Sequence, residues 1–240
     1  MNKQLLLIIG ILVGGFAVMA GYFLLHQSAA PVTVVVQRPV TASPASSAAL
    51  DNLRAKAEAG DAAAQTSLGW MYQKGAQVKP DMKAAVQWFR RAADQTNVEA
   101  LVALGEMTQA GQGVPASPAE AGRLYLQAAK LGNVAAQYNL AYLYEQGAGV
   151  AQSQTEASKW YQLAAEGGDS LAQYDMGQRY HLGVGVTANQ AEAVKWLTLA
   201  AAQGQTDSAK LLARLKSSLS AADLAAGAQS AQTFNARPAK

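Results

Sequence analysis

The stretch GNVAAQYNLAYLYEQGAGVAQSQTEASKWYQLAAEG, residues 132–167, decides the fold. It opens on Gly132-Asn133, a stop followed by a start. Glycine takes the left-handed conformation that ends a helix, and asparagine caps the next one. Ala136, Leu140 and Tyr144 follow at i, i+4 and i+8, so they share one face of a helix over about residues 134–146. Gly147-Ala148-Gly149-Val150 stops that helix and turns the chain. A second helix starts at the cap-type residue Ser153 and carries Ala157, Trp160, Tyr161 and Ala164 at i, i+3, i+4 and i+7. The stretch reads as two antiparallel helices joined by a glycine turn.

The same reading recurs every 36 residues. Gly60, Thr96, Gly132, Gly168 and Gly204 are in phase, and so are Leu68, Leu104, Leu140, Met176 and Leu212. Ala85, Ala121, Ala157 and Ala193 keep the interval, as do Trp88, Leu124, Trp160 and Trp196. Cap-type residues Asp81, Ser117, Ser153 and Asn189 open the second helices. One such hairpin cannot bury both of its apolar stripes, whereas stacked neighbours share a core. The fold class is therefore all-α: a solenoid of about four 36-residue units with capping helices, behind an N-terminal transmembrane helix. Trp88, Trp160, Trp196, Tyr72, Tyr144 and Tyr180 are expected in the core. Residues 48–59 lead into the first unit, Leu211, Leu212 and Leu215 mark a terminal helix, and Ser220 caps a last one to about Thr233.

Charge and composition exclude several functions. The first acidic residue is Asp51, and only Lys3 and Arg38 are charged before it; removing these two from the 19 basic residues leaves 17 against 16 acidic ones. A nearly neutral repeat region carries no footprint for nucleic acid. There is no cysteine, so disulfides and thiol catalysis are excluded. The glycine turns follow helices and lack the Lys-Ser/Thr of a phosphate loop. His181 is the lone histidine of the repeats, since His26 lies at the membrane edge, and Asp175 sits off its face of the helix. No cofactor or metal is expected.

Leu5 to Leu25 is an uncharged apolar run, long enough as a helix to span about 30 Å of bilayer core. Lys3 precedes it and no positive charge follows until Arg38, which orients the N-terminus to the cytoplasm and the repeats across the inner membrane, into the periplasm. A cleaved signal peptide is the alternative, with secretion to the periplasm. Gly10, Gly14, Ala17 and Gly21 form a small-residue stripe suited to a homodimer contact within the membrane. The expected organisation is an anchor or signal segment (1–26), a flexible linker (27–47) rich in Ser, Ala, Pro and Val, the repeats (48–234) and a tail (235–240).

Gly132, Ala136-Gln137, Leu140-Ala141, Tyr144, Gly147-Ala148-Gly149-Val150, Ala157, Trp160-Tyr161 and Ala164-Ala165 resemble the Sel-one-like repeat (SLR), a relative of the tetratricopeptide repeat. The fourth unit matches as well, and the resemblance covers about residues 55–217. The second unit departs most, with Thr96, Leu101, Thr108 and Leu124 at motif positions. The resemblance implies a right-handed superhelix whose first helices line a concave face, and a role as an adaptor. Some cysteine-rich members are described as β-lactamases; this chain lacks that framework. By resemblance to tetratricopeptide grooves, contacts fall two before, two after and five after the repeat leucine. These are Thr66, Trp70 and Gln73; Val102, Glu106 and Gln109; Tyr138, Tyr142 and Glu145; and Tyr174, Gln178 and His181. The expected function is a scaffold that holds another protein, of the bacterial envelope, in this groove. The rivals are a regulator of a membrane sensor and a peptidoglycan or glycan binder using the aromatic residues as a platform.

Overall fold

A computed structural model describes residues 44–235. The expected membrane segment with its Gly10, Gly14, Ala17 and Gly21 stripe, the linker up to residue 43 and the end of the tail lie outside the described residues. Among the described residues no helix is long and apolar enough to cross a membrane.

Helix α1 (Pro44–Glu58) precedes four hairpins: α2 (Ala62–Lys74) with α3 (Met82–Asp94), α4 (Val98–Ala110) with α5 (Pro118–Lys130), α6 (Val134–Gln146) with α7 (Gln154–Glu166), and α8 (Ser170–Leu182) with α9 (Gln190–Ala202). Then come α10 (Thr206–Leu215) and α11 (Ala221–Gln232). Helix α1 begins four residues inside the expected linker, because proline suits the first turn of a helix. Asp61, Asn97, Asn133 and Asp169 cap the first helices, and Asp81, Ser117, Ser153 and Asn189 the second. Asn133 Oδ1, for example, accepts the Ala136 N–H at 2.8 Å, and each such cap contributes about 1 kcal/mol.

Within each hairpin the deepest contact sets a large side chain on a small one. Phe89, Tyr125, Tyr161 and Leu197 are fully buried and in phase. A Cβ added at Gly69, Gly105 or Gly177 would come within 2.6 Å of Phe89, Tyr125 or Leu197 respectively. The third unit has the buried Ala141 at this position. Of the residues expected in the core, Trp196 is fully buried, but Trp88, Trp160, Tyr72, Tyr144 and Tyr180 are half-buried. All five pack against the buried clusters from their edges. The fully buried apolar residues accordingly form three clusters, one joining α1 and α2, one spanning α3–α6 and one spanning α6–α9. Tyr144 and Trp160 each pack against both of the larger two.

Between hairpins the joint is backbone on backbone. The second glycine of the last three turns is left-handed, at φ +75° for Gly113, +74° for Gly149 and +69° for Gly185, and Gln77 holds the same place in the first turn at φ +61°. A Cβ at these glycines would meet the start of the preceding unit's second helix, at 2.3 Å from Met82 O, 2.2 Å from Ala119 N and 2.1 Å from Gln154 O. A second joint comes from glutamine. Gln65, Gln137 and Gln173 donate from Nε2 to the carbonyls of Ala57, Ala129 and Ala165 at 3.0, 3.2 and 3.1 Å. Ala57 lies in α1, so α1 acts as the second helix of an incomplete unit. At the far end α11 packs on α9, and Gly227 lets it approach, since a Cβ there would lie 2.5 Å from Ala191 O.

Two predictions follow from backbone conformation. Gly149→Ala should lower stability by about 3 kcal/mol, combining left-handed strain with an overlap that only backbone movement can relieve. Thr96, a β-branched residue at φ +60° where the other units have glycine, should behave oppositely. Thr96→Gly should raise stability by about 0.5–1 kcal/mol, the relieved strain exceeding the added freedom of the unfolded chain. Urea unfolding of the full-length protein, followed by circular dichroism, measures both.

Candidate functional site

The first helices α2, α4, α6 and α8 carry the residues expected to face a partner, and α10 occupies the equivalent place after them. The positions two before the repeat leucine are mostly spent on the fold. Thr66 is buried, its hydroxyl donating to Ala62 O at 2.8 Å; its short side chain turns back onto its own helix, so it is not a contact residue. Tyr138 is half-buried, edge-on to Tyr161 with ring centroids 5.3 Å apart. Its hydroxyl hydrogen-bonds Asp175 of the next unit, and burial first, then Asp175 and Asp169, hold the phenol well above its ordinary range. Tyr174 is half-buried and accepts from Gln178 Nε2 at 2.9 Å; burial is the main cause raising its phenol. Val102 is half-buried.

The positions two after the leucine are more open. Trp70 packs edge-on against Phe89, with centroids 5.0 Å apart, and donates from Nε1 to Glu99 Oε1 at 2.6 Å. That bond ties α2 to α4. Glu106 is exposed, yet desolvation by its surroundings raises its carboxyl above the usual carboxylate range. Tyr142 has 41% of its surface exposed, more than any other aromatic side chain on this face.

The positions five after the leucine serve as partners for the second helix. Gln109 accepts from the Tyr125 hydroxyl and Glu145 from the Tyr161 hydroxyl, both at 3.0 Å. Glu145 also forms an ion pair with Arg179, whose side chain is only 5% exposed. Arg179 donates further to Ser158 Oγ at 3.0 Å and Gln154 Oε1 at 3.1 Å, and lies over the Tyr161 ring. Glu145 is therefore a buried joint between the third and fourth units, not a residue open to a partner. Phe89 and Leu197 have no hydroxyl to offer. Gln73 is half-buried, and His181 turns instead to Gln190, its Nδ1 lying 2.8 Å from Oε1. Gln190 Nε2 donates to His181 O, which leaves Oε1 as the acceptor and places the imidazole proton on Nδ1.

His181 and Asp175 thus face different partners, Gln190 and Tyr138 respectively. Among the described residues no group of His, Asp and Glu could hold a metal ion. A cleft of about 300 Å³ opens between α8 and α10, lined by Gln178, His181, Leu182, Leu211, Arg214 and Leu215. The sequence reading named Gln178 and His181 but not Leu182, which is 59% exposed, or Arg214. The signal was present: Leu212 is in phase with the repeat leucines, and the residue two after it is Arg214.

Four in-phase hairpins with sealed seams and an open first-helix face define an α-helical repeat protein of the solenoid class. The Sel1 repeat family model matches residues 62–97, 98–133, 134–169 and 170–205, and the chain belongs to that family. It is similar to the crystal structure of a protective antigen present in uropathogenic Escherichia coli strains that displays an SLR fold. The identity is 40% and the TM-score 0.68, over 69% of this chain and 36% of that one. It is also similar to the crystal structure of a Sel1 repeat protein from Oxalobacter formigenes, with 34% identity and a TM-score of 0.61, over 65% of this chain and 64% of the other. The chain thus spans about a third of the antigen's length and somewhat under two thirds of the second protein's. No curated protein matches it.

The Glu145–Arg179 pair yields a stability prediction. Arg179→Leu alone should cost about 3 kcal/mol, because it leaves a carboxylate whose side chain is only 15% exposed without its cation. The double variant Glu145→Gln/Arg179→Leu recreates the neutral arrangement of Gln109, Tyr125 and Leu143 at the preceding joint and should recover more than half of that loss. Equilibrium urea unfolding of both variants checks it.

Proposed function

We propose that this protein is a membrane-anchored scaffold or adaptor, with its repeats in the periplasm, that holds a protein of the bacterial envelope on the face made by α2, α4, α6, α8 and α10. The anchor and orientation rest on the apolar run from Leu5 to Leu25 behind Lys3. A 40% identical relative that is a protective antigen is in keeping with an exported placement.

The observation that carries the binding role is the division of labour on this face. Trp70 and Tyr138 are fixed by neighbouring units and Tyr174 by Gln178, while Tyr142 stands exposed beside a rigid surface. An exposed aromatic on a pre-ordered surface loses little freedom on binding and is a common interface anchor. The same division disfavours the glycan reading. A sugar platform needs open ring faces, and three of the four candidate rings are half-buried. The protein acts in this reading by binding and not by turnover.

A photo-crosslinking residue in place of Tyr142 should capture one discrete partner in cells. The same residue in place of Lys159, exposed on α7, should not. Adding Glu106→Lys, which removes no ion pair seen among the described residues, should reduce the yield from position 142 several-fold. Equal capture from positions 142 and 159 would contradict the assignment.

A further inference from the structure

The cleft between α8 and α10 has a chemistry that the rest of the face lacks. Three leucines line it: Leu182, 59% exposed at the end of α8, with Leu211 and Leu215 of α10. Arg214 stands at the same cleft, and its charge is felt at Tyr174. Among the described residues Arg214 is one of several cations in no ion pair, and the one among them that lines this cleft. The nearby Asp207 is paired with Lys210 at 3.0 Å. An unpaired guanidinium beside the exposed Leu182, the half-buried Leu211 and the buried Leu215 therefore marks the C-terminal end of the face.

Resting on the scaffold reading above, we propose that this cleft recognises an acidic side chain next to an apolar one in the partner's segment. The Asp or Glu carboxylate pairs with Arg214, and the aliphatic side chain lies on Leu182, Leu211 and Leu215. An internal acidic residue fits better than a free chain end. Helices α8 and α10 both reach the cleft at their C-terminal ends, where the exposed carbonyls carry partial negative charge. The local N–H groups are already committed, Gly183 and Val184 to Arg179 O and Lys216 to Leu212 O. A terminal carboxylate is usually held by a nest of free backbone N–H groups, and none of these three is available. A longer acidic side chain can instead meet the guanidinium fork from the solvent side, away from the helix ends. Gln178 keeps one amide hydrogen after its bond to Tyr174 and can donate to the second carboxylate oxygen.

The test uses full-length protein in detergent micelles and fluorescein-labelled, end-blocked synthetic peptides, read by fluorescence anisotropy. One peptide carries adjacent Leu and Glu in a Ser/Ala background. Its controls carry Leu-Gln, Ala-Glu or Leu-Lys, and a fourth has Leu with a free C-terminal carboxylate only. The Leu-Glu peptide should bind the wild type at least about fivefold more tightly than any control. In Arg214→Glu the preference should invert towards Leu-Lys, a gain that a merely misfolded variant would not show. No preference for Leu-Glu, its persistence in Arg214→Glu, or a preference for the free carboxylate would overturn the assignment. Should position 142 still capture its partner in that event, the cleft assignment alone falls; loss of that capture as well would remove the scaffold reading beneath it.

Discussion

The structure depends on one steric constraint, the close approach of each turn to the backbone of the preceding unit. At Gly113, Gly149 and Gly185 the space where a Cβ would stand is occupied by main-chain atoms within 2.1–2.3 Å. Main chain cannot rotate away as a side chain can, so glycine is required on steric grounds as well as by its positive φ. Because the contact recurs at one point of each unit, it fixes the displacement between successive hairpins. The glutamine donors at 137 and 173 and the ion pair at 145 and 179 lock two of the same joints with polar groups, and Gln65 ties the first unit to α1. Burial then seals the seams without making one continuous interior; Tyr144 and Trp160 bridge two clusters from half-buried positions.

That arrangement determines what is left for a partner. Side chains of the first helices that reach sideways are consumed by the joints, as with Trp70 on Glu99 and Tyr138 on Asp175. Those that point away from both neighbours remain open. Tyr142, Glu106 and the cleft at Arg214 are of this kind, so the face carries a carboxylate on α4, an aromatic on α6 and a cation on α10. A surface with its charges separated along its length discriminates partners by register as well as by affinity.

The fold was legible because period, caps and turn glycines are local signals. The caps of the second helices and the glycine corners could be read from residue type and spacing, whereas the left-handed Gln77, at φ +61°, could not. The site was less so, because exposure on a repeat surface is decided by the neighbouring unit. The leucine at 143 and the arginine at 179 hold the same place in the repeat, yet one completes an apolar core and the other a buried ion pair. Glu145 looked like a groove residue for the same reason: its partner lies 34 residues away. Thr66 was misplaced because a hydroxyl can satisfy itself on its own helix. Arg214 was missed because the groove rule stopped one unit short of the last in-phase leucine.

Native-state amide hydrogen exchange, read by mass spectrometry on full-length wild type and Gly149→Ala, tests most directly whether backbone contact at the turns holds the stack together. Exchange should accelerate around residues 118–122 and 147–150 on either side of the altered joint, while α2, α3, α8 and α9 keep their protection. Unchanged protection at those two segments would contradict the account, since the hairpins would then be held in place by something other than the contact assigned here.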